Sequence, residues 1–152
     1  MEVASLLAGP RHRQTTLSCG SGTVLVDSQL SEILAWCWSQ GLSTEFSCQG
    51  EAQDKAYIMF SSAQHAEKFL ELTAAMGGRL LEAARSAQPH AKSLNRRWEL
   101  VCFPVDDLNQ GHYSPQGGRR LRSRIRVSVL MPNSDLELLK KAIAHASRDS
   151  AN

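Results

Sequence analysis

The apolar positions of the chain follow two alternating periods, and the switches between them predict the order of elements. From Thr23 to Phe60 the run TVLVDSQLSEILAWCWSQGLSTEFSCQGEAQDKAYIMF reads as strand, helix, strand, tight loop, strand. At about 100° per residue Leu30, Ile33, Leu34 and Cys37 share one helical face, with Trp36 and Trp38 flanking it on opposite sides. Asp27 or Ser28 is placed to cap this helix, Glu32 suits its positive first turns, and Gly41 ends it. Ser43 to Cys48 alternates, with Thr44, Phe46 and Cys48 on one face and Ser43, Glu45 and Ser47 on the other, the pattern of a half-buried strand near a sheet edge. Ala56 to Phe60 is apolar on both faces, as a central strand requires.

The flanking sequence extends this pattern. Thr15 to Ser18 and Thr23 to Val26 predict a hairpin around Cys19-Gly20-Ser21-Gly22. Ser61 or Ser62 caps a second helix with Ala66, Phe69, Leu70, Thr73 and Met76 inward, closed by Gly77 and Gly78. A short helix follows over Arg79 to Ala87, then an apolar strand from Trp98 to Phe103 bounded by Pro104. Val105 to Gly118 reads as a long loop, of a length that often carries function. Leu121 to Met131 has period 2, with Arg120, Arg122, Arg124 and Arg126 opposite Leu121, Ile125, Val127, Val129 and Met131. Pro132 stops it. Ser134 to Glu137 fits a capping box, and Leu136, Leu139, Ala142, Ile143 and Ala146 form the inner face of a last helix. The order β-β-α-β-β-α-(α)-β-β-α defines an α+β class. Its expected form is a single domain over 15–147 with an antiparallel or mixed sheet and helices on one face, ferredoxin-like or related, between an N-terminal arm (1–14) and a frayed tail (148–152).

At 152 residues the chain matches one domain, and no run of about 18 apolar residues exists to form a membrane-spanning helix. The opening residues put acidic Glu2 before the apolar patch and basic residues after it, the reverse of a secretory signal, so a cytoplasmic location is expected. The four cysteines have no close pair and no C-x-x-C spacing, so free thiols are expected and no metal motif is visible. Cys37 and Cys102 read as small core residues. The net charge of +2 says little, but five of the seventeen basic residues fall within Arg119 to Arg126.

Two stretches carry candidate chemistry. Alternate arginines on one strand set guanidinium groups about 6.5–7 Å apart, a spacing that suits either acidic neighbours or the phosphates of RNA or DNA. Trp98 and Tyr113 are the aromatic groups available to stack on bases. The second stretch is Ser47-Cys48-Gln49-Gly50, where a cysteine at a strand end beside a glycine turn can be an activated thiolate held by backbone N–H groups, and Gly50 can bring backbone close to a ligand. Its histidine partner would be His65, His90 or His112, brought in by the fold.

The run Val26-Asp27, helix, Thr44, Ser47-Cys48-x-Gly50 and apolar strand resembles a group of small uncharacterised bacterial and phage proteins with a Ser-Cys-Gln-Gly corner. Their C-terminal part is similar as well, an Arg/Val strand followed by proline and a short helix, as in Arg124 to Leu139. More distantly, Ser47, Cys48 and Gly50 match the Ser-Ser-Cys-Ser-Gly-Arg signature of the tRNA wybutosine-synthesising methyltransferase family. That resemblance implies action on a modified guanosine in tRNA with S-adenosylmethionine. Three readings stand: a binding module for nucleic acid or another polyanion through Arg120, Arg122, Arg124 and Arg126; an enzyme acting on a nucleotide or modified RNA base at Ser47 and Cys48; and an interaction module that docks a protein or a second copy of the chain through Trp36 and Trp38. The residues themselves name no cofactor.

Overall fold

The computed structural model describes residues 12–20, 22–50, 55–87, 97–106 and 123–151. A hairpin comes first: β1 (Gln14–Cys19) and β2 (Gly22–Asp27) pair antiparallel and form a sheet of their own. The second sheet is antiparallel throughout, in the order β3 (Thr44–Cys48), β4 (Lys55–Phe60), β6 (Ser123–Pro132), β5 (Glu99–Asp106). Four helices complete the single α+β domain: α1 (Ser31–Ser39), α2 (Ala63–Ala75), α3 (Gly78–Ser86) and α4 (Ser134–Asp149).

β2 pairs with β1 and stays outside the main sheet. β4 is central, as its two apolar faces require. Ala56, Ile58, Phe60, Val127, Val129 and Met131 turn inward against Ile33, Leu34, Phe69, Leu136 and Leu139, all within one hydrophobic cluster. Phe69 is the aromatic hub: its ring centroid is 5.0 Å from that of Phe60 and 6.2 Å from those of Trp36 and Trp98. Such offset and edge contacts add to area burial.

Trp98 is fully buried here, so it is not available to stack on a base. Trp36 and Trp38 are half-buried and packed against the core, and Trp38 Nε1 donates to Thr44 Oγ1 at 2.9 Å. Cys37 is a core residue as expected, and burial pushes its thiol up to about 12. Cys102, expected in the core, is exposed. Pro104 lies within β5 and does not end it; β5 is an edge strand, where a missing N–H is tolerated. Two caps differ. α1 begins after Leu30 with no side-chain cap, and α4 begins after Asn133, which puts Ser134 inside the first turn and not at the cap. Ser62 does cap α2, accepting from the His65 N–H at 3.2 Å.

Candidate site at the Ser-Cys-Gln-Gly corner

β3 carries a bulge between Thr44 and Phe46, so two of its residues span one step of β4. The extra residue reverses the alternation beyond it. Thr44 pairs with Phe60 on the helix side, whereas Phe46 pairs with Met59 and Cys48 with Tyr57 on the outer face. Ser47 pairs with Ile58 and falls on the helix side, away from Cys48. The sheet therefore separates the two residues that the sequence joined as a catalytic pair. Phe46, at 60% relative exposure, projects from the outer face next to Met59.

Beyond β3 the chain turns at Gly50, whose φ of +68° lies in the left-handed region that favours glycine. That turn aims the Gly50 N–H at Cys48 Sγ, 3.4 Å away. Gln49 makes three hydrogen bonds at this corner. Its N–H donates to Asp27 Oδ2 at 2.9 Å, its side-chain oxygen accepts the Gln29 N–H at 3.3 Å, and its carbonyl accepts from Asn133 Nδ2. Gln49 Nε2 also lies 3.4 Å from His12 Nδ1.

The result is a convergence invisible in sequence spacing: one ligand atom each from His12, Asp27 and Cys48, all within 4.8 Å of one another. Asp27 is only 5% exposed. His65, a histidine the sequence suggested as partner, lies elsewhere and accepts the Ser43 N–H at 3.0 Å. His90 and His112 lie outside the described residues. Tyr57, the cross-strand partner of Cys48, completes the group. Burial raises its phenol above the ordinary value, as do the negative charges of Cys48 and Asp27 when ionised, so it remains a proton-bearing donor near neutrality.

A cavity of about 320 Å³ lies between the hairpin and β3, lined by Val26, Asp27, Trp38, Thr44, Phe46 and Ser47 among others. This is near the lower end of small-ligand pockets, about 300–1,000 Å³. Two larger cavities, of about 690 and 660 Å³, lie against the helices away from Cys48, so chemistry and not size selects the corner.

The arginine strand is only partly described. Arg126 forms an ion pair with Glu45, the bulged residue of β3, with its Nε off the hydrogen-bond axis. Both partners are about one-fifth exposed, so this arginine has a structural role on the outer face. Lys55 and Glu99 make a second ion pair at 2.9 Å. Arg124 lies in β6 opposite Val105, while Arg120, Arg122 and Tyr113 lie outside the described residues.

Comparison with known proteins returns no matching family model, no matching curated protein and no matching solved structure. No helix among the described residues is long and apolar enough to cross a membrane.

Proposed function

We propose that the protein is an enzyme acting on a nucleotide or a modified RNA base at the corner built by His12, Asp27 and Cys48. The observation that carries this reading is the convergence of a thiol, an imidazole and a buried carboxylate from three distant segments. A thiol alone is the ordinary case of a packed cysteine. A thiol beside groups able to hold or move its proton has the composition of a reactive centre. Tyr57 adds a hydrogen-bond donor on the same face.

The substrate class is supported by the surroundings. Phe46 and Tyr57 stand diagonally on the outer face and offer π-surface for a base, and the adjacent cavity has small-ligand size. Arg126 is four residues along β6 from Leu130, the residue level with Tyr57, or roughly 13 Å at strand rise. A strand whose base enters the corner would run its phosphates toward the arginine end of β6.

Thiol labelling tests this directly. With chelator present near neutral pH, Cys48 is expected to alkylate faster than the exposed Cys19 and Cys102, and nucleotides or short single-stranded RNA are expected to protect it. Labelling of Cys48 no faster than the other two, with no protection by either ligand, would remove the reading.

A further inference from the structure

We propose that His12, Asp27 and Cys48 hold a divalent cation of the zinc class, with the remaining coordination position open to water or substrate. This is independent of turnover, since an ion can be held whether or not a reaction follows.

Charge favours a cation here. Asp27 is almost fully buried, and among the described residues no lysine or arginine pairs with it. A buried carboxylate calls for a cation or a dense set of donors, and the Gln49 N–H is the one hydrogen bond it receives from the described residues. The site thus places a carboxylate and a thiol sulfur together with no lysine or arginine among the described residues to balance them. A cation at their centre relieves this.

Geometry points the same way. Among the hydrogen bonds of the described residues, none links two of His12, Asp27 and Cys48, although their ligand atoms lie within 4.8 Å of each other. Ligands around one ion need not touch: tetrahedral bonds of about 2.0–2.3 Å place neighbouring ligand atoms about 3.3–3.8 Å apart. A contraction of about 1 Å from the upper limit suffices.

The layer around the three side chains is also in place. Bound metal ligands are usually held by further hydrogen bonds that fix their orientation. Here Gln49 N–H holds Asp27, the Gln49 side chain steadies the His12 ring, and Gly50 N–H meets the sulfur. Asn133 secures Gln49 in turn. Thiolate, imidazole and carboxylate together favour zinc over magnesium or calcium, which prefer oxygen alone. Three protein ligands with one open position is the arrangement of catalytic rather than structural zinc.

The test uses the full chain, stripped with chelator and titrated with Zn²⁺ and Co²⁺. One equivalent of each is expected to bind, cobalt with a sulfur-to-metal charge-transfer band that Cys48→Ser abolishes and the double variant Cys19→Ser/Cys102→Ser retains. His12→Ala and Asp27→Asn are each expected to weaken zinc binding at least tenfold. Should Cys48→Ser fail to fold, the wild-type thiol decides: zinc should slow alkylation of Cys48 alone, and chelator should restore it. No stoichiometric binding at micromolar metal, a cobalt complex without the sulfur band, or zinc protection spread over all exposed thiols would overturn the proposal. Fast, nucleotide-protected Cys48 labelling without metal binding would overturn it while leaving the enzymatic reading in place.

Discussion

Thr73 is fully buried in α2, and its Oγ1 has no hydrogen-bond partner among the described residues. An unpaired buried hydroxyl costs about 1–3 kcal/mol relative to an apolar group of the same shape. Thr73→Val is therefore expected to raise stability by about 1 kcal/mol, read as a higher denaturation midpoint with unchanged slope. Asp135 is the opposite case, buried but well supplied: Arg97 Nε and Trp98 Nε1 both donate to its Oδ2 at 2.8 Å. Asp135→Asn is expected to cost about 2 kcal/mol, because charge-assisted hydrogen bonds are removed while the volume is kept. Residues of this kind mark the limit of local reading. Asp27 and Asn133 stand where helix caps belong, yet both turn to Gln49, and only the closed fold reveals that competition. His12 carried no signal, since it precedes the first strand in a stretch without periodicity.

Among the elements, β3 shows how one inserted residue redirects chemistry. Its alternation was legible, but the bulge after Thr44 was not, and it decides that Cys48 faces outward with Phe46 while Ser47 faces the helices. The helical stripes were read more fully: Leu30, Ile33, Leu34 and Cys37 of the first helical run, Ala66, Phe69, Leu70 and Thr73 of α2, and Leu136, Leu139 and Ile143 of α4 are all buried. Burial periodicity survives because it reports the core directly, whereas a bulge is a negotiation between two strands. The arginine strand makes a prediction at this scale. Replacing Arg120, Arg122, Arg124 and Arg126 with Gln is expected to weaken single-stranded RNA binding and flatten its log–log salt dependence by about 0.7 for each phosphate no longer neutralised. An unchanged slope in a salt titration would confine Arg126 to its structural pair with Glu45.

For the whole molecule, the Arg97–Asp135–Trp98 group ties the entry of β5 to the first turn of α4 and predicts how the domain responds to acid. Burial works to raise the Asp135 carboxyl, but the hydrogen bonds from Arg97 and Trp98 and the charges of Arg97 and Arg79 outweigh it and hold it below the ordinary value. A carboxyl with a depressed folded-state value contributes its full stability above about pH 3.9 and loses it as the pH falls through the lower value. Acid unfolding followed by circular dichroism should therefore show a loss of stability below pH 4 that Asp135→Asn reduces. The α+β class and the central strand were legible at this scale because both follow from burial. Strand order was not, because pairing partners are chosen among distant segments. That choice leaves the β1–β2 hairpin outside the main sheet, with Leu25 at 67% exposure. Two strands alone are marginal in water. An ion shared by His12, Asp27 and Cys48 would tie this hairpin to β3, so binding is expected to slow amide exchange along β1 and β2 well beyond the residues that touch it.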